Sequence, residues 1–206
     1  INKLHLQREL KLDVSDEPLI GIVSRLAEQK GIDLICNGLD QIINSGFKVI
    51  LLGTGDERYH RILEEKLAQY PDRLSINLKF DEILAHRIYA GADFFLMPSR
   101  YEPCGLGQMI ALTYGTIPVV RKTGGLADSV FEFEPAKGKG NGFLFEIYNV
   151  DAMIQTLLKA REVYNNKNHW NQLVLNAMSC DFSWDRTARE YLSLYEKILT
   201  DSLAAS

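Results

Sequence analysis

Apolar residues follow two rhythms along this chain, and the rhythms alternate. Short, nearly continuous apolar runs at Leu19–Ser24, Phe47–Leu52, Leu74–Leu78, Asp93–Pro98, Ile117–Arg121 and Gly142–Glu146 have the length and character of strands. Between them, apolar positions recur every third or fourth residue, the period of a helix with one buried face. Ile32, Ile35, Leu39, Ile42 and Ile43 make such a face within Gly31–Asn44. Tyr59, Ile62, Leu63, Leu67 and Tyr70, with the stem of Lys66, make another, and Asp56 stands where its N-cap belongs. Asp81 is placed to cap a helix running to Ala90, and helices are expected at about Gly105–Tyr114 and after Gly124-Gly125-Leu126. Strand and helix in alternation predict an α/β fold, a parallel, doubly wound sheet with helices on both faces. Helices at about Val150–Tyr164, His169–Met178 and Ser183–Leu199 follow as a C-terminal extension, and the Gly-rich Lys137–Gly142 reads as a mobile surface loop.

Composition narrows the function without naming it. The 206 residues are 46% hydrophobic and 24% charged, the balance of an ordinary globular domain. A net charge of −4 offers no basic face to nucleic acid. The longest apolar runs, such as Val49-Ile50-Leu51-Leu52, fall far short of the roughly 20 residues of a membrane span. Cys36, Cys104 and Cys180 are odd in number and far apart, with no Cys-x-x-Cys pair or histidine cluster beside them. This pattern suggests no metal site and predicts a reducing, intracellular compartment, and no cofactor is expected. The polar, helical Ile1–Lys11 at the start carries no secretory signal and reads as the interior of a longer protein.

Two segments carry candidate chemistry. In an open parallel sheet, ligands bind beyond the carboxyl ends of the strands. Arg25 directly follows the first predicted strand, and Lys30 stands at the entry to the first helix of the sheet. Two cations beside free helix N–H groups make a diphosphate site, Arg gripping two oxygens and Lys acting as a point charge. Taken alone, the pair reads equally well as solvated surface cations. The absence of Gly-x-x-x-x-Gly-Lys-Ser/Thr and of Gly-x-Gly-x-x-Gly disfavours a P-loop NTPase and a dehydrogenase.

The second segment is Pro98-Ser99-Arg100-Tyr101-Glu102-Pro103-Cys104-Gly105-Leu106-Gly107-Gln108. A strand ends, a turn carries an acid, and Gly105 and Gly107 open a helix where the backbone can approach an anion. Glu102, on the rim beside them, can accept hydrogen bonds from sugar hydroxyls. A carboxylate next to a phosphate site makes sense when something neutral and hydroxyl-rich, such as a hexose, lies between.

This segment closely resembles the Glu-Pro-Cys-Gly-Leu signature of glycogen and starch synthases. Ser24-Arg25-Leu26-Ala27-Glu28-Gln29-Lys30-Gly31 resembles their phosphate motif, and Tyr114 to Asp128, with Lys122-Thr123-Gly124-Gly125-Leu126, resembles the segment that follows in them. Phe182-Ser183-Trp184 looks like the start of their last helix, so the likeness covers almost the whole chain. The resemblance implies the Rossmann-like, C-terminal nucleotide-sugar-binding half of a two-domain GT-B glycosyltransferase, retaining in stereochemistry. It implies glucose transfer from ADP-glucose to the non-reducing end of an α-1,4-glucan, the acceptor being held through an N-terminal domain absent here. Arg25 and Lys30 would bind the ADP phosphates, and Glu102 would hold hydroxyls of the transferred glucose. Amides from Cys104 through Gly105 and Leu106 to Gly107 would contact glucose and the distal phosphate, and Phe80 would stack on adenine. Three departures stand out: Ile110 where many related transferases, though commonly not glycogen synthases, have a second glutamate, Gly107 where many members have Thr, and Phe80 where the family has Tyr.

Other residues keep two readings. Gly53 and Gly55, in Gly53-Thr54-Gly55-Asp56, can approach the ribose or base, or form a tight turn. Thr123-Gly124-Gly125 can lend amides to the site or open a helix. Cys104 is expected as a small packed residue, the four histidines as structural, and Trp170 and Trp184 as packing anchors. An apolar stripe on the last helix, including Leu192, Tyr195 and Leu199, predicts self-association of the isolated chain. Two rival readings remain: an ADP-binding module without turnover, and a GT-B transferase with a different acceptor.

Overall fold

The protein is described by a computed structural model that covers residues 1–204. Helix α1 (Asn2–Glu9) leads into β1 (Leu19–Val23), α2 (Ile32–Asn44), β2 (Lys48–Leu52), α3 (Glu57–Gln69), β3 (Leu74–Asn77), α4 (Glu82–Gly91) and β4 (Phe94–Met97). Then come α5 (Gly107–Tyr114), β5 (Ile117–Arg121), α6 (Gly124–Ser129), β6 (Phe143–Phe145), α7 (Val150–Asn165), α8 (Lys167–Met178) and α9 (Trp184–Ala204). All the expected strands and helices form, with ends shifted by a few residues. Asp56 and Asp81 cap their helices as expected, accepting from the amides of Arg58 and Leu84 at 2.9 Å.

The six strands are parallel, in the order β3-β2-β1-β4-β5-β6. Because side chains alternate across a strand, each strand feeds both faces. Ile20, Ile22, Val49, Leu51, Phe94 and Leu96 join the large core under α2, α3, α7 and α8. Leu19, Ile50 and Leu52 pack instead with Leu6 of α1 and with Leu84 and Ile88 of α4, while Phe95 meets Tyr89 and Ala111. Trp170 anchors α8 as expected, its ring edge 5.2 Å from Phe94 and 4.9 Å from Tyr164, centroid to centroid.

The order reverses direction between β1 and β4. Strands β2 and β3 build outward on one side, β5 and β6 on the other, which leaves a crevice at the carboxyl ends of β1 and β4. The loops that leave β1 and β4 are Ser24–Gly31 and Pro98–Leu106.

Three readings of the sequence need correction. Trp184 is 82% exposed and does not anchor α9: it stands at the edge of a groove with Met109, Phe131 and Phe182 and is not covered by them. Lys137–Gly142 is not loose: Asn176 of α8 donates to the carbonyls of Gly138 and Gly140 at 2.9 and 2.8 Å, and Asn141 is buried. Cys104 is exposed rather than packed. Helix α9 presents Leu192, Tyr195 and Leu199 to solvent, together with Tyr191, Leu194 and Ile198. Among the described residues, no helix is long and apolar enough to cross a membrane.

Candidate functional site

Two loops that lie far apart in sequence are fastened to each other at the crevice. Gly31 has φ +73°, and a Cβ there would stand 2.1 Å from the carbonyl oxygen of Pro98, so the loop after β1 closes directly on the loop after β4. The amide of Arg100 donates to the carbonyl of Gln29 at 2.9 Å, and the side chain of Gln29 donates to the carbonyl of Tyr101 at 3.4 Å. Arg121, at the end of β5, donates to the carbonyls of Arg100 and Ser99 at 2.7 and 3.3 Å. The Arg100 guanidinium lies 4.4 Å over the Tyr148 ring, whose hydroxyl donates to Asp33 at 2.6 Å.

The second loop takes its shape from a glycine pair and a buried amide. Gly124 has φ +45°, and a Cβ there would sit 2.1 Å from the Glu102 carbonyl oxygen. The Gly125 amide donates to the carbonyls of Glu102 and Pro103 at 3.1 and 3.3 Å, so it is already committed and is not offered to a ligand. Gln108, fully buried, shares the two N–H donors of its Nε2 among three acceptors, the carbonyls of Cys104 and Gly105 at 3.1 and 2.9 Å and the Ser129 hydroxyl at 3.0 Å. With those carbonyls turned toward Gln108, the amides of Leu106 and Gly107 at the start of α5 take no acceptor among the described residues.

The fastened loops enclose a cavity of about 270 Å³ lined by Arg25, Lys30, Glu102, Gly105, Leu106 and Gly107, with Tyr89 among the apolar wall residues. Glu102 is only 5% exposed and forms part of the wall, not the rim. Its Oε2 receives the Lys30 ammonium at 2.5 Å and the Ser99 hydroxyl at 3.3 Å. Its Oε1 accepts no hydrogen bond among the described residues, which leaves one carboxylate oxygen for a ligand. A lysine has three N–H donors, so Lys30 can hold Glu102 and a phosphate at once. Arg25 is exposed and makes no ion pair among the described residues.

An adjoining cavity of about 470 Å³ shares Val23, Ser24, Arg25 and Tyr89 with the first and continues to Gly53, Thr54 and Phe80. Phe80 is 89% exposed, an apolar ring held at the cavity edge by the turn that begins α4. Gly53 lines this cavity, yet a Cβ there would meet the Ser24 carbonyl oxygen at 1.8 Å, so close backbone packing already requires glycine. Gly55 pairs with Leu26 in an isolated bridge and does not line it. The Cys104 side chain lies in a separate groove beside α9.

The crevice thus brings Arg25, Lys30, Glu102, Gly105, Leu106 and Gly107 together, with Gly53 and Phe80 next door. Sequence reasoning passed over Ser99, Gln108 and Arg121, although all three stand inside segments it had quoted. Tyr89 gave no signal, because its spacing in α4 is that of an ordinary core residue. The fit of Gln108 leads to an expected result: Gln108→Leu should keep the volume but leave the loop carbonyls without donors. A stability loss of about 1–3 kcal/mol is expected, with a fall in nucleotide affinity, checked by denaturant unfolding and calorimetry.

The sequence model of the family described as "Glycosyl transferases group 1" matches residues 6–176. The chain belongs to that family. Within and around it, the glycogen synthase of Kosmotoga olearia is 54% identical over 198 residues, covering 96% of this chain and 42% of the relative. That of Thermotoga maritima is 50% identical over 200 residues, covering 96% of this chain and 41% of the relative. The chain therefore spans about two fifths of the length of the curated relatives it matches. The catalytic domain of starch synthase IV from Arabidopsis thaliana, bound to ADP and acarbose, has a TM-score of 0.87 and 39% identity. That match covers 95% of this chain and 42% of the other. As a group 1 glycosyl transferase, the chain carries the doubly wound, Rossmann-like sheet of GT-B enzymes that the alternation of strands and helices predicted.

Proposed function

We propose that this chain is the C-terminal, donor-binding half of a retaining glucosyltransferase that takes ADP-glucose and extends an α-1,4-glucan at its non-reducing end. One observation carries the reading: at the switch point between β1 and β4, two cations and a buried carboxylate with a free oxygen share one small cavity. Cations suit a diphosphate, the carboxylate suits neutral hydroxyls, and Phe80 next door suits a flat base. Similarity to glycogen synthases and to a starch synthase bound to ADP supports the choice of donor and acceptor.

Arg25, Lys30 and the amides of Leu106 and Gly107 bind the diphosphate, Glu102 holds glucose hydroxyls through Oε1, and Phe80 stacks on adenine. As the bond from the glucose C1 to the distal phosphate oxygen lengthens, negative charge builds on that oxygen. Fixed cations and amides then hold it more strongly than in the ground state, and this difference lowers the barrier. Glu102 is the one carboxylate that lines the cavity among the described residues, which gives this half-site no nucleophile and acid pair of the hydrolase kind. A cytoplasmic setting suits three cysteines that are all unpaired.

The acceptor belongs to a facing N-terminal domain, for which the greater length of the relatives leaves room. A reaction between two bound substrates needs both held in register, so this chain alone binds ADP without turnover, and its exposed α9 face favours self-association. Transfer from labelled ADP-glucose to maltooligosaccharide tests the reading. The longer protein should show it, and this chain should bind ADP but transfer nothing. Glucose transfer by the purified chain would overturn the half-site reading, and failure of ADP to bind would overturn the donor assignment.

A further inference from the structure

Tyr89 joins a buried ring to a hydroxyl left uncommitted at the wall of the two cavities. The residue is 7% exposed, yet its phenolic oxygen makes no hydrogen bond among the described residues. The ring is buried but the hydroxyl is not sealed in: Tyr89 lines both cavities, and its O–H, uncommitted to protein, is open to a ligand or water. The ring cannot easily swing to find a partner. It lies 4.9 Å from Phe95 and stacks at 14° on Tyr114, 6.4 Å away, with His86 edge-on at 6.3 Å.

The hydroxyl is aimed at the start of α5. A Cβ built on Gly107 would lie 3.4 Å from the Tyr89 oxygen and 2.9 Å from Cε1 of Phe95. The hydroxyl therefore stands beside the start of α5, and Tyr89 and Gly107 line the same cavity, while Tyr89 also lines the adjoining one. Close packing on the buried Phe95 ring is what requires glycine at position 107. Burial also pushes the phenol up to about 12, so the group stays a neutral proton donor across the physiological range.

We propose that the Tyr89 hydroxyl donates a hydrogen bond to the distal phosphate of the bound nucleotide diphosphate, in the cavity that Tyr89 lines together with Gly107, Arg25 and Lys30. The α5 amides approach the phosphate from one side and the phenol from another, while Arg25 and Lys30 supply the charge. The assignment rests on the diphosphate reading above, and it makes Tyr89 a phosphate-binding residue that distinguishes a diphosphate from a monophosphate.

The test is Tyr89→Phe, which removes one oxygen and keeps the ring packing, with ADP and AMP titrated calorimetrically into parent and variant. The parent should prefer ADP. The variant should lose roughly ten- to a hundredfold in ADP affinity, as expected for a hydrogen bond to a charged group, and keep its AMP affinity. Equal ADP affinity in parent and variant overturns the Tyr89 assignment and leaves the diphosphate reading standing. Equal losses for ADP and AMP also overturn it, since they mean a general loosening of the cavity. A parent that binds neither nucleotide overturns both. Thermal melting of the variant verifies that it is folded.

Discussion

Arg25→Ala is expected to weaken ADP binding by about ten- to a hundredfold, the loss of a charge-assisted hydrogen bond of roughly 1.5–3 kcal/mol. Arg25 is the cleaner of the two cations to remove, because it is exposed and holds no acidic partner among the described residues. Folding should therefore be nearly unchanged. Lys30→Ala should match it in affinity but also destabilise the chain, since the Glu102 carboxylate, 5% exposed, would lose its ammonium partner. In the longer protein, glucose transfer should fall further than ADP affinity for both variants, because charge on the leaving phosphate is greatest in the transition state. Calorimetry, denaturant unfolding and initial rates separate these effects. ADP affinities equal to the parent's in both variants would remove the diphosphate from this crevice.

Glu102→Gln should divide binding from transfer. The substitution keeps the shape of the side chain and weakens only its grip on glucose hydroxyls and on Lys30. Transfer by the longer protein should drop roughly tenfold to a hundredfold or more, the range for hydrogen bonds to a charged group. ADP affinity should stay nearly unchanged, and any drift should be toward tighter binding. Removing a negative charge beside a diphosphate lowers repulsion and frees the Lys30 ammonium. Comparable losses in ADP affinity and in transfer would mean that Glu102 merely shapes the loop. Glu102→Ala would blur the comparison, because it opens a void in the cavity wall as well.

Helix α9 shows how an apolar stripe can be legible while the fate of a neighbouring aromatic is not. Its stripe of Leu192, Tyr195 and Leu199 was legible, and so was its lack of cover within this chain. Trp184, by contrast, read as an anchor because large aromatics usually bury themselves, and among the described residues it stays 82% exposed.

What the sequence determined by itself is local. The period of apolar residues set the strands and helices, Asp56 and Asp81 set where two helices begin, and the spacing of Arg25, Lys30, Glu102 and the glycines marked two loops as chemical. Local geometry follows from neighbours a few residues away, so a single chain can be read for it. Only the tertiary structure decided that β1 and β4 lie side by side, which turns two separate loops into one crevice. It decided that Glu102 is buried against Lys30 and that Gly125 spends its amide on the loop. It also decided that the Tyr89 hydroxyl faces Gly107. Those contacts join residues far apart along the chain, and the order of strands in the sheet, which no local pattern encodes, is what brings them within reach.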